Sequence, residues 1–233
     1  METARLAAGS GGRAARAERI LDVTAELLLQ HGYKRVTIDD VAAGAGIGKG
    51  TVYLHWRTRE ALFWAVLQRE AMRLLEQVLA DLAADPALAL PSRLMRAIFL
   101  AATGRRLVLA LLLSDAEILG GLARDSAVAD AQRELSGNEN YLELLAEQGL
   151  LRPGLTPVSA GYVLGSVMRG FFAETGELAV TVRADLLRDV LHRALETDGP
   201  PPEPAVAALA AAVTGLFTTI VTVQRAQLER AYG

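Results

Sequence analysis

The chain has no cysteine, three histidines, two lysines and few aromatic residues, and each shortage removes a class of function. Without cysteine there are no disulfides, thiolate zinc sites, iron–sulfur clusters or cysteine nucleophiles. The histidines stand at positions 31, 55 and 192, and none is a helix neighbour of another. A histidine metal site is therefore not expected, and the sequence predicts no metal and no cofactor. Aromatic residues make up 5% of the chain, and β-branched residues never dominate a long stretch. An all-β fold is excluded on that ground. What is abundant is alanine, 41 of 233 residues, in a chain that is 52% apolar. That composition suits a large helical core and argues against global disorder. At roughly 150 residues per domain, the length allows one or two domains.

Charge is scarce in excess but unevenly placed. The net formal charge is −3, which by itself argues against a general nucleic-acid binder. Residues 1–70, however, carry ten Lys/Arg against eight Asp/Glu, and the remainder carries fourteen against nineteen. A mildly basic N-terminal part on an acidic body permits a local contact with an anion. Residues 1–12 lack an apolar core, so they read as a flexible tail rather than a signal peptide, and a cytoplasmic location is expected.

The run Ala205 to Val223 holds 19 residues without a charge. By length it could span a bilayer. Its six alanines, four threonines and one glycine, and its proline-rich flank without a basic anchor, favour a buried interface helix instead, with no membrane.

Periodicity places the first helix from about Ala14 to His31, with Gly32 turning the chain off its end. Thr37-Ile38-Asp39-Asp40 reads as a capping-box-like start. Gly46, between Ala45 and Ile47, suits a tight turn, and a second short helix follows from Lys49 to Trp56. Thr58 is the expected N-cap of a long helix from Arg59 to about Ala84. Thr156-Pro157 has the form of an N-cap with proline at the first helical position, opening the apolar stretch 158–173. The breaker-rich segment 197–204 precedes a last helix.

Two short helices with glycine in the turn, preceded by a longer amphipathic one, have the form of a helix-turn-helix. Its second helix carries Lys49, Thr51, Tyr53 and His55, all able to donate to phosphates or to base-edge acceptors in a major groove. Val52 and Trp56 fall on the opposite side as anchors. Alternatives stay open at two of these positions: Tyr53 can be a packing aromatic, and His55 is equally well read as packing or as DNA contact. The glycine-rich stretch 44–50 does not make a phosphate loop, because Ala43 and Gly50 stand where glycine and Ser/Thr are needed.

At this point the sequence resembles the TetR family of repressors. The likeness covers about residues 14–70, through His31-Gly32-Tyr33, residues 37–42, residues 46–56 and Thr58-Arg59-Glu60-Ala61-Leu62. Gly48 departs from it, since the family often has a polar residue there. The resemblance implies an all-α protein with an N-terminal three-helix helix-turn-helix DNA-binding domain (13-73). A C-terminal helical ligand-binding and dimerisation domain (74-233) would follow. It further implies that Lys49, Gly50, Thr51, Tyr53 and His55 face DNA and that Thr37 and Arg59 fix the DNA backbone. The expected partners are a double-stranded DNA operator, a small-molecule effector, and a second copy of the chain held through residues 157-173 and 203-230. The expected function is a sequence-specific transcriptional regulator, a repressor released by a small ligand, and not an enzyme. Arg105-Arg106 reads as a solvated helix start rather than an acid-binding pair. Tyr141, Met168, Phe171 and Phe172 read as core first and as pocket lining second.

Overall fold

The computed structural model describes residues 2–113, 115–124, 139–174 and 176–232. Among them the chain forms α1 (Glu2–His31), α2 (Ile38–Gly44), α3 (Lys49–His55), α4 (Arg59–Ala84), α5 (Pro91–Thr103), α6 (Arg106–Leu113) and α7 (Ala116–Leu119). They continue with α8 (Glu139–Glu147), α9 (Pro157–Ala173), α10 (Val180–Leu195) and α11 (Glu203–Tyr232). Two 3-10 turns, Pro86–Ala89 and Gly120–Arg124, complete them. There is no strand among the described residues, only an isolated bridge between Leu151 and Glu196.

The expected tail is helical from Glu2, so α1 begins well before Ala14. Thr3 to Ala8 includes Ala, Arg and Leu, which are good helix formers, and the helix carries through the glycines that follow. Two left-handed glycines close local segments as expected, Gly32 at φ +71° after α1 and Gly46 at φ +65° between α2 and α3.

The N-terminal core joins α1, α2, α3 and the start of α4 through buried Ile20, Leu28, Val41, Val52, Trp56 and Leu62. The expected domain boundary at 73-74 falls inside α4, which is continuous and serves both parts. The Arg69 side chain, 2% exposed, bridges α4 to α1 through Glu18 (3.1 Å) and Asp22 (2.8 Å). These carboxylates and Glu70 (3.3 Å) compensate the buried cation, which would otherwise be costly.

In the body, α5 packs on α10, and α9 packs on α8 and α10. The last helix has one face covered within its own chain. Leu209, Val213, Phe217, Val221 and Leu228 bury one face of α11 against its own chain, where it packs on α4 and the Pro86–Ala89 turn. The opposite face, with Ala207, Ala208, Ala211, Thr214, Gly215 and Thr218, is exposed, so residues 203–230 are only partly covered within one protomer. Apolar surface is left over elsewhere: Val158 (84% exposed) and Tyr162 (76%) on α9, and Val182, Leu186 and Val190 on α10.

Candidate nucleic-acid interface

Three short pieces of chain position the interface. Thr37 caps α2: its hydroxyl accepts from the Asp40 N–H (3.2 Å) and donates to Asp40 Oδ2 (2.6 Å). The Thr37 N–H donates to the same oxygen at 2.9 Å, completing the capping box. These bonds hold the Asp40 carboxyl below the usual aspartate range. Gly46 then turns the chain, and Gly48 opens α3 in an extended conformation without a side-chain cap. A Cβ at Gly48 or Gly50 would meet nothing within 4 Å, so the backbone here is open to an approaching molecule.

Within α3 the residues sort by face. Val52, His55 and the C-cap Trp56 point inward and are buried. Lys49, Gly50, Tyr53 and Leu54 are exposed, at a spacing that places them together on one side of the helix. Thr51 is half-buried at the edge of that face. The inner residues fix how α3 sits, and the outer ones are what it offers.

The expected contact residues differ in how the fold places them. Lys49 Nζ lies 2.8 Å from Asp39 Oδ2 of α2, and this hydrogen bond raises the affinity of the ammonium for its proton. Both side chains remain at least half exposed, so the pair contributes little to stability and leaves Lys49 available to other acceptors. Arg59 is turned inward. Its guanidinium lies over the rings of Tyr33 (4.6 Å) and Phe63 (5.5 Å), and Nη1 donates to the Val36 carbonyl at 3.4 Å. It braces α4 against the loop before α2, where stacking on two aromatic rings stabilises it. His55, 8% exposed and beside the Trp56 ring at 5.4 Å, takes the packing alternative. Thr37 is exposed, but its hydroxyl serves the cap. The structure therefore assembles Lys49, Gly50, Tyr53 and the edge residue Thr51 on one face, and places Arg59 and His55 behind it.

Sequence reasoning passed over Leu54, which is 71% exposed on the outer face. Its signal was its register, four residues after Gly50 and one after Tyr53. It also passed over Lys34, Arg35 and Arg57, exposed cations in the loops flanking α2 and α3.

Elsewhere, a cavity of about 230 Å³ lies where the start of α5 meets the end of α10, with Ser92, Arg93, Arg188, His192 and Glu196 in its wall. The buried Glu196 accepts from the Ser92 N–H (2.6 Å) and pairs with His192 Nδ1 (2.7 Å), so this carboxylate caps α5. Arg105 donates to the Ala101 carbonyl and to Gln77 (both 2.8 Å), and Arg106 is exposed at the start of α6, in keeping with a helix-end role. Tyr141, Met168 and Phe172 are buried in the core. Among the described residues no three His, Cys, Asp or Glu side chains are grouped to hold a metal ion.

A short helix anchored from within, opened by bare glycine backbone and presenting a cation, a hydroxyl and a phenol, defines a helix-turn-helix protein of the DNA-binding class. Comparison with known proteins makes the class specific. The chain matches, over residues 20–66, the model for bacterial regulatory proteins of the tetR family. It is a transcriptional regulator. It is 28% identical over 145 residues to the uncharacterised HTH-type transcriptional regulator YhgD of Bacillus subtilis, covering 61% of this chain and 73% of that protein. Among solved structures it resembles SmeT in its triclosan complex, with a TM-score of 0.61 and 24% identity over 82% of this chain and 98% of that one. It also resembles AibR, solved with isovaleryl coenzyme A and operator DNA, with a TM-score of 0.51 and 21% identity over 76% and 97% of the two chains. At these identities the structural likeness establishes a shared fold.

Proposed function

We propose that the protein is a ligand-released repressor that acts as a homodimer on a near-palindromic operator in the cytoplasm. The observation that carries this reading is α3 itself: Val52 and Trp56 hold it in the core while Lys49, Gly50, Thr51 and Tyr53 face outward or lie at the edge. Lys49 and Thr51 read base edges, and Tyr53, Lys34, Arg35 and Arg57 supply phosphate contacts. The two roles divide specificity from affinity, since phosphates carry no sequence information.

Two copies meet through α9 and α10, where Val158, Tyr162, Leu186 and Val190 form an exposed apolar surface. Patches of that kind on a water-facing surface mark interfaces. The exposed side of α11, with Ala207, Ala208, Ala211 and Gly215, lies open to the same pairing, in keeping with an interface through residues 157-173 and 203-230. A two-fold dimer presents two copies of α3, so half-sites are related by symmetry and lie about one helical turn (~34–36 Å) or a multiple apart. Support for a small-molecule effector comes from SmeT and AibR, whose structures hold triclosan and isovaleryl coenzyme A.

The deciding experiment is selection of bound duplexes from random DNA, with and without metabolite pools. A palindromic sequence released by one of the pools is expected. Equal affinity for random and selected duplexes at about 150 mM salt, where surface charge is largely screened, would refute the reading.

A further inference from the structure

The first half of the molecule hides its large apolar side chains almost completely. From Gly12 to Leu112, the exposed large hydrophobic residues among the described side chains are Tyr53 (43%) and Leu54 (71%). They are neighbours in sequence and lie on the outward face of α3, beside Lys49 and Gly50. Tyr53 has a hydroxyl that can answer a phosphate or base edge. Leu54 has no polar atom in its side chain, so no phosphate, sugar hydroxyl or base amine explains it.

We propose that Leu54 is a specificity-determining residue that reads the C5-methyl group of a thymine in the operator half-site. This inference rests on the DNA-binding reading above and deepens it. Four considerations select the occupant. The leucine sits within the surface already assigned to DNA, contiguous with Lys49 and Tyr53, so whatever covers those residues covers it too. In the major groove, the thymine methyl is the apolar feature that distinguishes one base pair from the others. Burial of an apolar side chain against that methyl removes both from water. Finally, the helix backbone can approach closely at Gly50, whose missing side chain leaves open space one turn before Leu54.

The chemistry separates this contact from its neighbours. Lys49 and Tyr53 act through charge and hydrogen bonds, which salt weakens. The leucine–methyl contact depends on apolar area and therefore persists as salt rises. It carries sequence information without adding to binding of random duplexes.

The test removes a single methyl from the DNA. Each thymine of the selected duplex is replaced in turn by deoxyuridine, which keeps base pairing and the O4 acceptor and loses only the C5-methyl. With the wild-type protein, one position per half-site should weaken binding about fourfold, the equivalent of one buried methylene-sized group. In Leu54→Ala the same replacement should have no effect, while affinity for random duplex and thermal midpoint stay at wild-type values. The coupling between side chain and methyl is the decisive reading, because a merely structural leucine would not produce it. A selected half-site without thymine, absence of any methyl-sensitive position in the wild-type scan, or equal sensitivity in Leu54→Ala would each overturn the inference. The wild-type scan alone can do so even if the variant folds poorly. A wild-type protein that fails to prefer the selected duplex at all would instead bring down the functional reading itself.

Discussion

The helix-turn-helix part and the body differ in how completely they cover their apolar side chains. Around α2 and α3 the chain is stitched by local polar devices: a capping box at Thr37, left-handed glycines at 32 and 46, and a guanidinium laid over two rings. Nearly every apolar side chain there is buried, and the exceptions sit on one face of α3. The body has devices of the same kinds: a capping box at Thr156, left-handed glycines at 120, 149, 154 and 199, and the Arg183 guanidinium over the Phe99 ring. Yet the body leaves Val158, Tyr162, Leu186 and Val190 in water. A region whose apolar side chains are covered is complete as a single chain. A region with surplus apolar surface is complete only when something else covers it.

The comparison is sharpened most by two substitutions in the body that look alike in sequence. Phe217→Ala removes a ring that is 8% exposed on α11, and should lower the stability of the protomer by about 3–5 kcal/mol. Tyr162→Asp alters a ring that is 76% exposed, and should change protomer stability by no more than ~0.5 kcal/mol. It should nevertheless turn the dimer into a monomer and abolish operator binding. Chemical denaturation and sedimentation together check the pair. A dimer that survives Tyr162→Asp and dissociates cleanly in Phe217→Ala would reverse the assignment of the two rings.

A third substitution tests the joint between the regions. Gly120 has φ +55°, and a Cβ there would lie 2.2 Å from Cδ1 of Tyr33, the residue on which Arg59 stacks. The 3-10 turn of the body is thus seated on the loop between α1 and α2. Gly120→Ala combines left-handed strain with displacement of a packed ring. About 3 kcal/mol of lost stability is expected, with weakened operator binding. Denaturant midpoints and duplex titrations measure both. Wild-type values for each would show that the two regions are not joined here.

How much of this was legible follows from the same contrast. The stitched region could be read because its signals are local: Thr37 and Asp40 are three residues apart, Gly46 interrupts two short helices, and Val52 and Trp56 share a face. What local signals left open there was the placement of individual donors. Arg59 was legible as a cation near the interface, but its two aromatic partners stand 26 and four residues away in sequence, and only the fold shows them beneath it. His55 alternated between two readings until the burial of α3 settled its side. In the body, the uncharged run 205–223 announced burial but not against what, since a core, an interface and a bilayer ask for the same composition. Residues 157–173 were expected at an interface, but which of their side chains turn outward left no clear mark, because valines and leucines at helical spacing look the same whether they turn in or out.

The stitching itself is a smaller target. Thr37→Ala removes the hydroxyl of the capping box and should lower stability by about 1 kcal/mol. The pH dependence is the more telling readout. Asp40 titrates lower in the folded chain than in the unfolded one, chiefly through its bond from the Thr37 hydroxyl. Its contribution is therefore present above the unfolded aspartate value and is lost as pH falls through the folded value. Acidification through that window should destabilise the wild type more than Thr37→Ala, narrowing the gap between them. A gap that stays constant with pH would mean that the carboxylate and the hydroxyl do not act together.

The smallest effect is expected where the stitching is missing. Of the two short helices, α2 is capped by side chains at both ends of its box, whereas α3 begins at Gly48 with no side-chain bond. Nothing in the geometry requires glycine at that position. Its φ of −78° and ψ of 147° are those of an ordinary N-cap residue, and a Cβ would enter open space. Gly48→Ser supplies a hydroxyl that can accept from an N–H in the first turn of α3, as Thr37 does for α2. Serine exceeds glycine as a cap by only a few tenths, so a gain of about 0.3 kcal/mol is expected, read as a slightly higher denaturant midpoint with an unchanged slope. The sign matters more than the size. A loss of stability would mean that the opening of α3 needs the freedom of glycine, and that the second short helix is held wholly by its buried face of Val52, His55 and Trp56 rather than by local devices like those that frame the first.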